Sequence, residues 1–302
     1  MKDVAVIIIN YNTAKYTLEC IASVQQHTEP SISYEIIVVD NASQASDYQL
    51  LANNFPSEEH ISLHRSDVNT GFGGGNMIGA SLAHARYLLF LNNDALLLND
   101  CLGLLHHYME ANTQVGVCTA QNYDEHENHV PSFDHDKGLR RLLLGRSFLE
   151  KNWPKKYPKR KKVYTEPLEV NWVNGAFMFF RRSAFNKVDG FDTAIFLYFE
   201  EMDICFRLRK AGYISTLVPQ AKILHYQGVS IGKSKAVNKE AYISYLHVVR
   251  KNYSTVKYLL IKWYLVLVLT LKPKKRYLVS TIMKGRKAQK DSLRYGSGPV
   301  TN

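Results

Sequence analysis

The segment VAVIIINYN, residues 4–12, joins a continuous apolar run to a polar turn. Comparable runs recur at residues 35–39 and 87–91, and residues 15–27 and 76–85 between them have helical periodicity. Continuous apolar strands that alternate with helices are typical of a parallel sheet covered on both faces. The sequence therefore predicts the α/β class, with a Rossmann-like, mostly parallel central sheet and flanking helices.

Polar residues follow each of the three apolar runs. Asn10 and Asn12 follow the first run, Asp40 the second, and Asn93 and Asp94 the third. Because ligands of open α/β sheets bind beyond the carboxyl ends of the strands, these positions are the first candidates for a site. Asp94 could hold a divalent cation, and Asp40 could accept hydrogen bonds from a ribose or a base. Each acid could instead cap a turn or a helix.

A glycine-rich word, NTGFGGGN at residues 69–76, opens a predicted helix. Glycines let the backbone approach a diphosphate closely, and the N-terminus of a helix favours negative charge. The word is not G-x-G-x-x-G and does not follow the first strand, so an ordinary dinucleotide-binding fold is disfavoured.

Three acids open a second predicted helix, residues 200–211, which Gly212 ends. Glu200 and Asp203 lie on one face of this helix, whereas Glu201 points away from them. Acids in a first turn are commonly partners of the helix dipole, which explains one or two of the three. His225 lies among apolar residues and could ligate a metal or be structural.

Positive charge is concentrated in two zones. The 302 residues carry a net charge of +11; residues 137–162 hold eleven Lys or Arg against one acid, and residues 257–290 hold ten with no acid. Such zones suit nucleic acid, anionic lipid or phosphorylated substrates, or are simply solvated faces, and charge alone does not choose among them. The four cysteines have no C-x-x-C spacing, which favours reduced core thiols and a cytosolic compartment.

An apolar stretch at residues 258–271 contains Trp263 and Tyr264 and precedes a cluster of Lys and Arg at residues 272–276. It is shorter than the roughly 20 residues that span a bilayer. This pattern favours a helix that lies in the plane of a membrane. A helix that docks on the rest of the protein is the alternative.

Taken together and in order, these words resemble family 2 of the inverting glycosyltransferases, particularly its rhamnosyltransferase-like members. The matching words are VIIINYN (6–12), IVVDNAS (37–43), NTGFGGGN (69–76), LNND (91–94), NGA (174–176), GFD (190–192) and FEEMD (199–203), and His225 completes the series. The resemblance runs from residue 4 to about residue 232. It implies the glycosyltransferase A-type fold, a nucleoside-diphosphate sugar donor linked to dTDP or UDP, and Mg²⁺ or Mn²⁺ as cofactor.

The resemblance also implies roles for single residues. Asp40 is similar to the nucleoside-binding acid, Asp94 to the metal-binding last position of a D-x-D word, and His225 to a second metal or diphosphate ligand. Glu201 matches the catalytic base, with Glu200 as the alternative, and Asn92 stands where many members have a first Asp. The predicted donor-binding residues are Asn10, Asn12, Asp40, Asn69, Gly71, Gly74, Asn76 and Asn93, and the predicted acceptor-binding residues are Asn174, Gly175 and Asp203.

The resemblance and the sequence pattern together predict three regions: a nucleotide-sugar-binding half at residues 1–120, an acceptor-binding and catalytic half at 121–235 with a basic flap at 137–164, and a helical, basic extension at 236–302. The implied reaction is inverting transfer of a sugar, with a lean toward rhamnose, to a bacterial surface glycan linked to polyprenyl diphosphate. It would occur in the cytoplasm at the inner face of the cell membrane, with an anionic membrane surface as a partner.

Two competing interpretations belong to other classes. A nucleotidyltransferase would need a Gly-rich Arg/Lys word near the first strand, and the chain lacks one. A basic nucleic-acid-binding protein would need a reader fold or stacking aromatics beside the basic zone, so no nucleic-acid partner is expected. The sequence does not specify an oligomeric state.

Overall fold

A computed structural model describes residues 1–226 and 234–295 of the chain. The end of the family resemblance, at residues 227–232, and the end of the extension, at residues 296–302, lie outside the described residues. Within the described ranges the strands are β1 (Lys2–Asn10), β2 (Tyr34–Asp40), β3 (Ile61–Arg65), β4 (Ala85–Asn92), β5 (Ala95–Leu97), β6 (Val115–Tyr123), β7 (His129–Val130), β8 (Phe133–Asp134), β9 (Leu168–Val170), β10 (Trp172–Val173), β11 (Phe177–Arg181) and β12 (Ile214–His225). The helices are α1 (Ala14–His27), α2 (Ala45–Asn53), α3 (Gly71–Leu82), α4 (Cys101–Ala111), α5 (Leu139–Leu144), α6 (Arg146–Asn152), α7 (Arg182–Lys187), α8 (Glu200–Lys210), α9 (Lys235–Asn252), α10 (Thr255–Thr270) and α11 (Leu278–Lys284), with short 3-10 helices at Pro273–Lys275, Gly285–Asp291 and Leu293–Tyr295.

Strand β1 lies inside the sheet. It pairs in parallel with β2 on one side and with β4 on the other, and β3 extends the parallel part beyond β2. Asn10 lies opposite Asp40, and Ile9 lies opposite Asn92, so the polar residues after these strands meet at one edge. The predicted α/β class, with a mostly parallel sheet and flanking helices, is confirmed.

The other half of the sheet is mixed in direction. Strand β11 runs antiparallel between β4 and β6, and β12 is parallel to β6 but antiparallel to β5. The short strand β5 begins directly after Asp94, and its first residue, Ala95, lies opposite His225 of β12. This pairing brings Asp94, an acid at a strand end, next to His225, which is far away in the sequence.

The two faces of the sheet bury separate hydrophobic cores. Ala5 and Ile7 of β1 point into a core shared with α8 and α9, whereas Val4, Val6 and Ile8 point into one shared with α1 and α4. Burial on both faces explains why this strand reads as a continuous apolar run. All four cysteines are buried and free, as predicted for core thiols.

The C-terminal extension packs on the first of these cores. Helix α10 buries Ile261, Leu265 and Leu269, which lie one turn apart on one face. Helix α11 adds Leu278 and Ile282 to the same core. The docking alternative is therefore confirmed for this face of α10. No helix within residues 1–226 or 234–295 is long and apolar enough to cross a membrane.

The predicted basic flap, residues 137–164, contains helices α5 and α6 and is anchored by ion pairs. Arg141 and Arg160 lie 2.7 Å and 3.1 Å from the carboxylate of Asp134, which is buried. Burial would raise the pKa of Asp134, but the two guanidinium groups outweigh it and lower the pKa. Two basic residues of this segment are thus used to neutralise a buried acid, while most of its lysines are exposed.

Candidate active site

A cavity of about 760 Å³ lies at the carboxyl ends of β1, β2 and β4, and most of the predicted site residues line it. Those residues are Asn12, Asn69, Gly71, Asn76, Asn93, Asp94, Asn174, Gly175, Glu200, Glu201 and His225. Asn10, Asp40, Gly74 and Asp203 lie outside the lining. The volume is within the range of small-molecule sites in proteins. The cavity can therefore accept a ligand of the size of a nucleotide sugar.

Asn10 and Asp40 lie beneath the cavity and are fully buried. Asp40 accepts hydrogen bonds from Asn10 Nδ2 at 2.9 Å and from the backbone N–H of Ser43 at 3.2 Å, and Arg65 Nε lies 3.5 Å from its Oδ1. Buried polar groups need such partners, and these bonds hold the ends of β1 and β2 together. Direct contact of Asn10 or Asp40 with a donor stays a prediction.

Asn41 fixes the start of α3, although the sequence analysis assigned it no role. Its Nδ2 donates to Asn69 Oδ1 and to the backbone oxygen of Gly71, both at 3.1 Å, and its Oδ1 accepts from the backbone N–H of Thr70 at 2.9 Å. The available signal was its position directly after Asp40 at a strand end. One buried amide therefore connects the second strand end to the glycine-rich word.

The first glycines of α3 are surrounded by protein atoms. Gly71 has φ of +77°, and a Cβ there would lie 2.1 Å from the backbone oxygen of Phe196. A Cβ on Gly74 would lie 2.7 Å from the Cβ of Thr70. Gly71 thus permits close approach of the segment before α8, and Gly74 permits a tight first turn. Donor contact of Gly71, which lines the cavity, and of Gly74, which does not, stays a prediction.

Asp94 and His225 form a close pair in the cavity wall. His225 Nε2 lies 3.2 Å from Asp94 Oδ1. Two neighbouring ligand atoms of an octahedral ion are about 3 Å apart when each lies at about 2.1 Å from it, so this spacing fits a shared divalent cation. Oxygen ligands suit Mg²⁺ and Mn²⁺, and imidazole suits transition metals. Within residues 1–226 and 234–295, no group of three or more His, Cys, Asp or Glu side chains is placed to hold a metal ion.

Glu200 and Glu201 occupy different environments at the start of α8. Glu200 is 2% exposed, and its Oε1 has no hydrogen-bond partner within the described residues. Burial raises the pKa of Glu200 well above its ordinary value, and the neighbouring Glu201 carboxylate raises it further.

Glu201 is half-buried, and its Oε1 lies 3.9 Å from the position that a Cβ would take on Gly175. Burial also raises the pKa of Glu201, and Lys137 opposes that rise. Of the two acids, Glu201 is the more exposed, and its carboxylate lies beside Gly175.

Asp203 is not among the residues that line the cavity, and its role in acceptor binding stays a prediction. It is fully buried, its Oδ2 accepts from Arg207 at 2.7 Å and from Lys251 at 3.1 Å, and its Oδ1 accepts from Asn252 Nδ2 at 2.7 Å. A buried carboxylate without such partners would strongly destabilise the fold. Asp203 therefore joins α8 to α9.

Strained backbone surrounds the cavity. Asn12, Ala42, Tyr198 and Phe199 have φ between +56° and +72°, in the left-handed region that residues other than glycine rarely adopt. Such conformations persist where the surrounding structure fixes them, and they cluster at functional sites. Tyr198 also lines the cavity, although nothing in its local sequence pattern marks it as a site residue.

Three lining residues come from the predicted C-terminal extension, Val237, Leu293 and Arg294. None of the three was among the predicted site residues. No periodicity or motif links residue 294 to the strand ends, because their proximity arises only through the packing of α9 and the turns that follow α11.

Comparisons with known proteins agree with this geometry. The sequence profile of glycosyl transferase family 2 matches residues 5–189. The chain is 26% identical over 260 residues to the N-acetylglucosaminyl-diphospho-decaprenol L-rhamnosyltransferase of Mycobacterium tuberculosis, a match that covers 80% of this chain and 82% of the relative. It is 27% identical over 234 residues to the rhamnosyltransferase WbbL of Escherichia coli, which covers 74% of this chain and 83% of the relative.

Among solved structures, GalNAc-T7 with UDP, GalNAc and Mn²⁺ is similar, with a TM-score of 0.61 at 16% sequence identity. The match covers 98% of this chain, and the chain spans 57% of the length of that structure's chain. At this identity the similarity reports the fold alone. It confirms the glycosyltransferase A-type fold that the sequence words implied.

Proposed function

The chain belongs to glycosyl transferase family 2, and on that premise we propose that it transfers a sugar from a nucleoside-diphosphate donor to an acceptor hydroxyl with inversion. The observation that carries the proposal is one cavity that combines the Asp94–His225 pair with the carboxylate of Glu201. A pair suited to a metal-bound diphosphate and a separate base are the two parts that a single displacement needs. Family membership favours this reaction over the nucleotidyltransferase and nucleic-acid-binding interpretations.

In the proposed reaction Glu201 accepts the proton of the acceptor hydroxyl while the hydroxyl oxygen bonds to the anomeric carbon. The bond between that carbon and the diphosphate breaks, and its electron pair leaves with the nucleoside diphosphate. One displacement inverts the anomeric centre, so no covalent nucleophile is needed. Asp94 and His225 would hold Mg²⁺ or Mn²⁺, which supplies positive charge beside the leaving diphosphate. Asn174 and Gly175, beside Glu201, are proposed to contact the acceptor.

For the substrates we propose a dTDP-linked rhamnose donor and an acceptor glycan carried on polyprenyl diphosphate, in the synthesis of a bacterial surface polysaccharide. Two relatives named as rhamnosyltransferases, one of them for a diphospho-decaprenol acceptor, support this choice. The donor would lie against the cavity residues that follow β1 and β4 and against those of the glycine-rich word. These are Asn12, Asn69, Gly71, Asn76 and Asn93.

A panel of nucleotide sugars with Mn²⁺ tests the reaction class and the donor. We expect dTDP-rhamnose to release nucleoside diphosphate faster than the UDP- and GDP-sugars of the panel, and the glycan product to have the anomeric configuration opposite to that of the donor. Preference for a UDP-sugar would change the donor but keep the reaction class. Release of pyrophosphate from a nucleoside triphosphate and a sugar phosphate would contradict glycosyl transfer.

The outer face of α10 supports a second part of the proposal, peripheral binding to an anionic membrane. Apolar side chains recur at intervals of three or four residues along this face, which forms a continuous stripe. The stripe consists of Val256, Leu259, Leu260, Trp263, Leu267 and Leu271, each 44–72% exposed. An exposed apolar stripe of this length on a helix too short to span a bilayer suits the membrane interface.

Charge around the stripe favours an anionic lipid surface as its partner. Exposed basic residues lie at both ends of α10, namely Lys257, Lys272, Lys274, Lys275 and Arg276. Helix α5 packs beside α10, since Tyr264 Oη donates to the backbone oxygen of Leu142 at 2.6 Å, and α5 exposes Leu143 and Leu144. Each Lys or Arg near an anionic surface is worth about 1 kcal/mol, so a cluster of this size would give salt-sensitive binding.

We expect the protein to cosediment with phosphatidylglycerol vesicles and to dissociate as NaCl is raised. Leu267→Glu should lower the partition coefficient by about 10-fold or more, because burial of a leucine side chain is worth roughly 1.5–3 kcal/mol. Leu104→Glu, on the exposed side of α4, is a matched control that should bind as the wild type does. Equal binding by the two variants, or binding to neutral phosphatidylcholine vesicles that is just as strong, would contradict the membrane proposal.

A further inference from the structure

The chain returns to the active-site cavity close to its C-terminal end. Ser292 Oγ and the backbone N–H of Leu293 donate to the carboxylate of Glu240, at 2.9 Å and 2.8 Å. Glu240 lies on α9 and is 1% exposed. Burial raises the pKa of Glu240, and the hydrogen bonds from Leu293 and Ser292 oppose that rise. A buried carboxylate therefore holds the 3-10 turn Leu293–Tyr295 at one place beside the cavity.

The side chain of Arg294 follows this anchor and lies in the cavity lining. Its guanidinium carbon is 5.9 Å from the centroid of the Phe196 ring, and its Nη2 donates to the backbone oxygen of Thr193. Both contacts hold the arginine against the loop that precedes α8. This bond uses one of the five N–H donors of the guanidinium group.

Arg294 differs in charge from the other ionised side chains of the cavity lining. Among the described residues that line the cavity, Arg294 is the one Lys or Arg. The same lining contains four carboxylates, those of Asp67, Asp94, Glu200 and Glu201. Without Arg294, a diphosphate in this cavity would meet carboxylates and no permanently charged cationic side chain of the described protein. Arginine binds phosphate oxygens through paired N–H groups that match their geometry.

We propose that the C-terminal turn delivers Arg294 to a diphosphate group of a bound substrate. The inference rests on the proposed function, because both the nucleotide-sugar donor and the lipid-linked acceptor would carry a diphosphate. In this arrangement Arg294 contacts substrate, and Glu240 is a positioning residue that acts through the turn. The extension is then part of the active site, in addition to its packing on the core.

Binding of dTDP in the presence of Mn²⁺, measured by calorimetry on the full chain, tests this role. Arg294→Gln should weaken dTDP binding by about 10–100-fold, the range expected for loss of hydrogen bonds to a charged group. Arg294→Lys keeps the charge but loses the paired N–H geometry, so its affinity for dTDP should lie between those of the wild type and Arg294→Gln. Arg286→Gln removes the same charge from an exposed position on the preceding 3-10 segment and should leave the affinity unchanged.

The outcomes separate the two possible sources of the diphosphate. Weaker dTDP binding assigns Arg294 to the donor, whereas unchanged dTDP binding with a raised KM for a polyprenyl-diphosphate acceptor assigns it to the acceptor. Unchanged values for both substrates would overturn the inference and leave the proposed function standing. If the wild-type protein binds neither dTDP nor UDP with Mn²⁺, the proposed function itself fails and the inference fails with it.

A second variant tests the anchor. Glu240→Gln keeps the size of the side chain but weakens the acceptor for Ser292 and Leu293, so it should also reduce diphosphate binding. Because Glu240 acts through Arg294, this reduction should disappear when Arg294 is already Gln. An equal reduction in both backgrounds would mean a general structural effect and would remove the positioning role.

Discussion

Replacing Glu201 by Gln is expected to lower kcat by about 10²–10⁴-fold, the usual contribution of a general base, while the KM for the donor stays near its wild-type value. Glutamine fills the same space but cannot take the proton of the acceptor hydroxyl. The expectation depends on the position of Glu201, which lines the cavity with its carboxylate beside Gly175. Initial rates of transfer, with donor binding measured separately, give the two quantities.

Glu200→Gln is the matched comparison, because the two acids are adjacent on α8 and differ in exposure. Glu200 is 2% exposed, so a substrate hydroxyl has little access to its carboxylate, and burial raises its pKa, which favours the protonated form that cannot accept a proton. The loss of kcat should therefore be smaller than for Glu201→Gln, and melting temperatures should show that both variants fold. If Glu200→Gln is inactive and Glu201→Gln is active, the catalytic base is Glu200 and not Glu201.

The pH dependence of kcat checks the same assignment. Burial raises the pKa of Glu201, and a base must be deprotonated to act, so the rate should fall as the pH drops through this raised pKa. The acidic limb should consequently lie above the ordinary glutamate value of about 4.3. An acidic limb that is unchanged in the residual activity of Glu201→Gln would point to a different group.

Asp94→Ala is expected to abolish metal-stimulated turnover, with a loss on the order of 10²-fold or more, because the leaving diphosphate would lose the charge that the metal supplies. Asp94 Oδ1 lies 3.2 Å from His225 Nε2, so His225→Ala should weaken the response to Mn²⁺ as well. Rates measured across a Mn²⁺ titration give the size of the effect, and a melting curve shows whether each variant is folded.

Asp189→Asn is the control for the loss of one carboxylate. Asp189 is exposed and has φ of +59°, a conformation that asparagine also adopts, so the fold should tolerate the change. Its activity and its Mn²⁺ dependence should match those of the wild type. If Asp94→Ala behaves in the same way as this control, Asp94 does not belong to the metal site.

Local sequence pattern predicted much of the architecture. The strands that became β1, β2 and β4 are continuous apolar runs, because a strand buried on both faces needs apolar side chains at every position. The acids after two of those strands were located because parallel strands end at one edge, whereas the acids at the start of α8 were located from the helix pattern and the family resemblance. Docking of the extension was harder to predict, because α10 is apolar on its exposed face as well as on its buried face.

The sequence by itself therefore determined the fold class, the family, the position of Asp94 at the end of a strand and that of Glu201 in the first turn of a helix, because these depend on local periodicity and on motifs within a few residues. Only the tertiary structure decided which polar residues face the cavity. It buried Asp203 in a network with α9, and it paired β5 with β12 so that His225 lies beside Asp94. It also brought Arg294 to the same cavity. The physical reason is that packing between distant segments determines which groups a charged side chain contacts. Acidic and basic residues with similar local sequence therefore acquire different roles only in the folded chain.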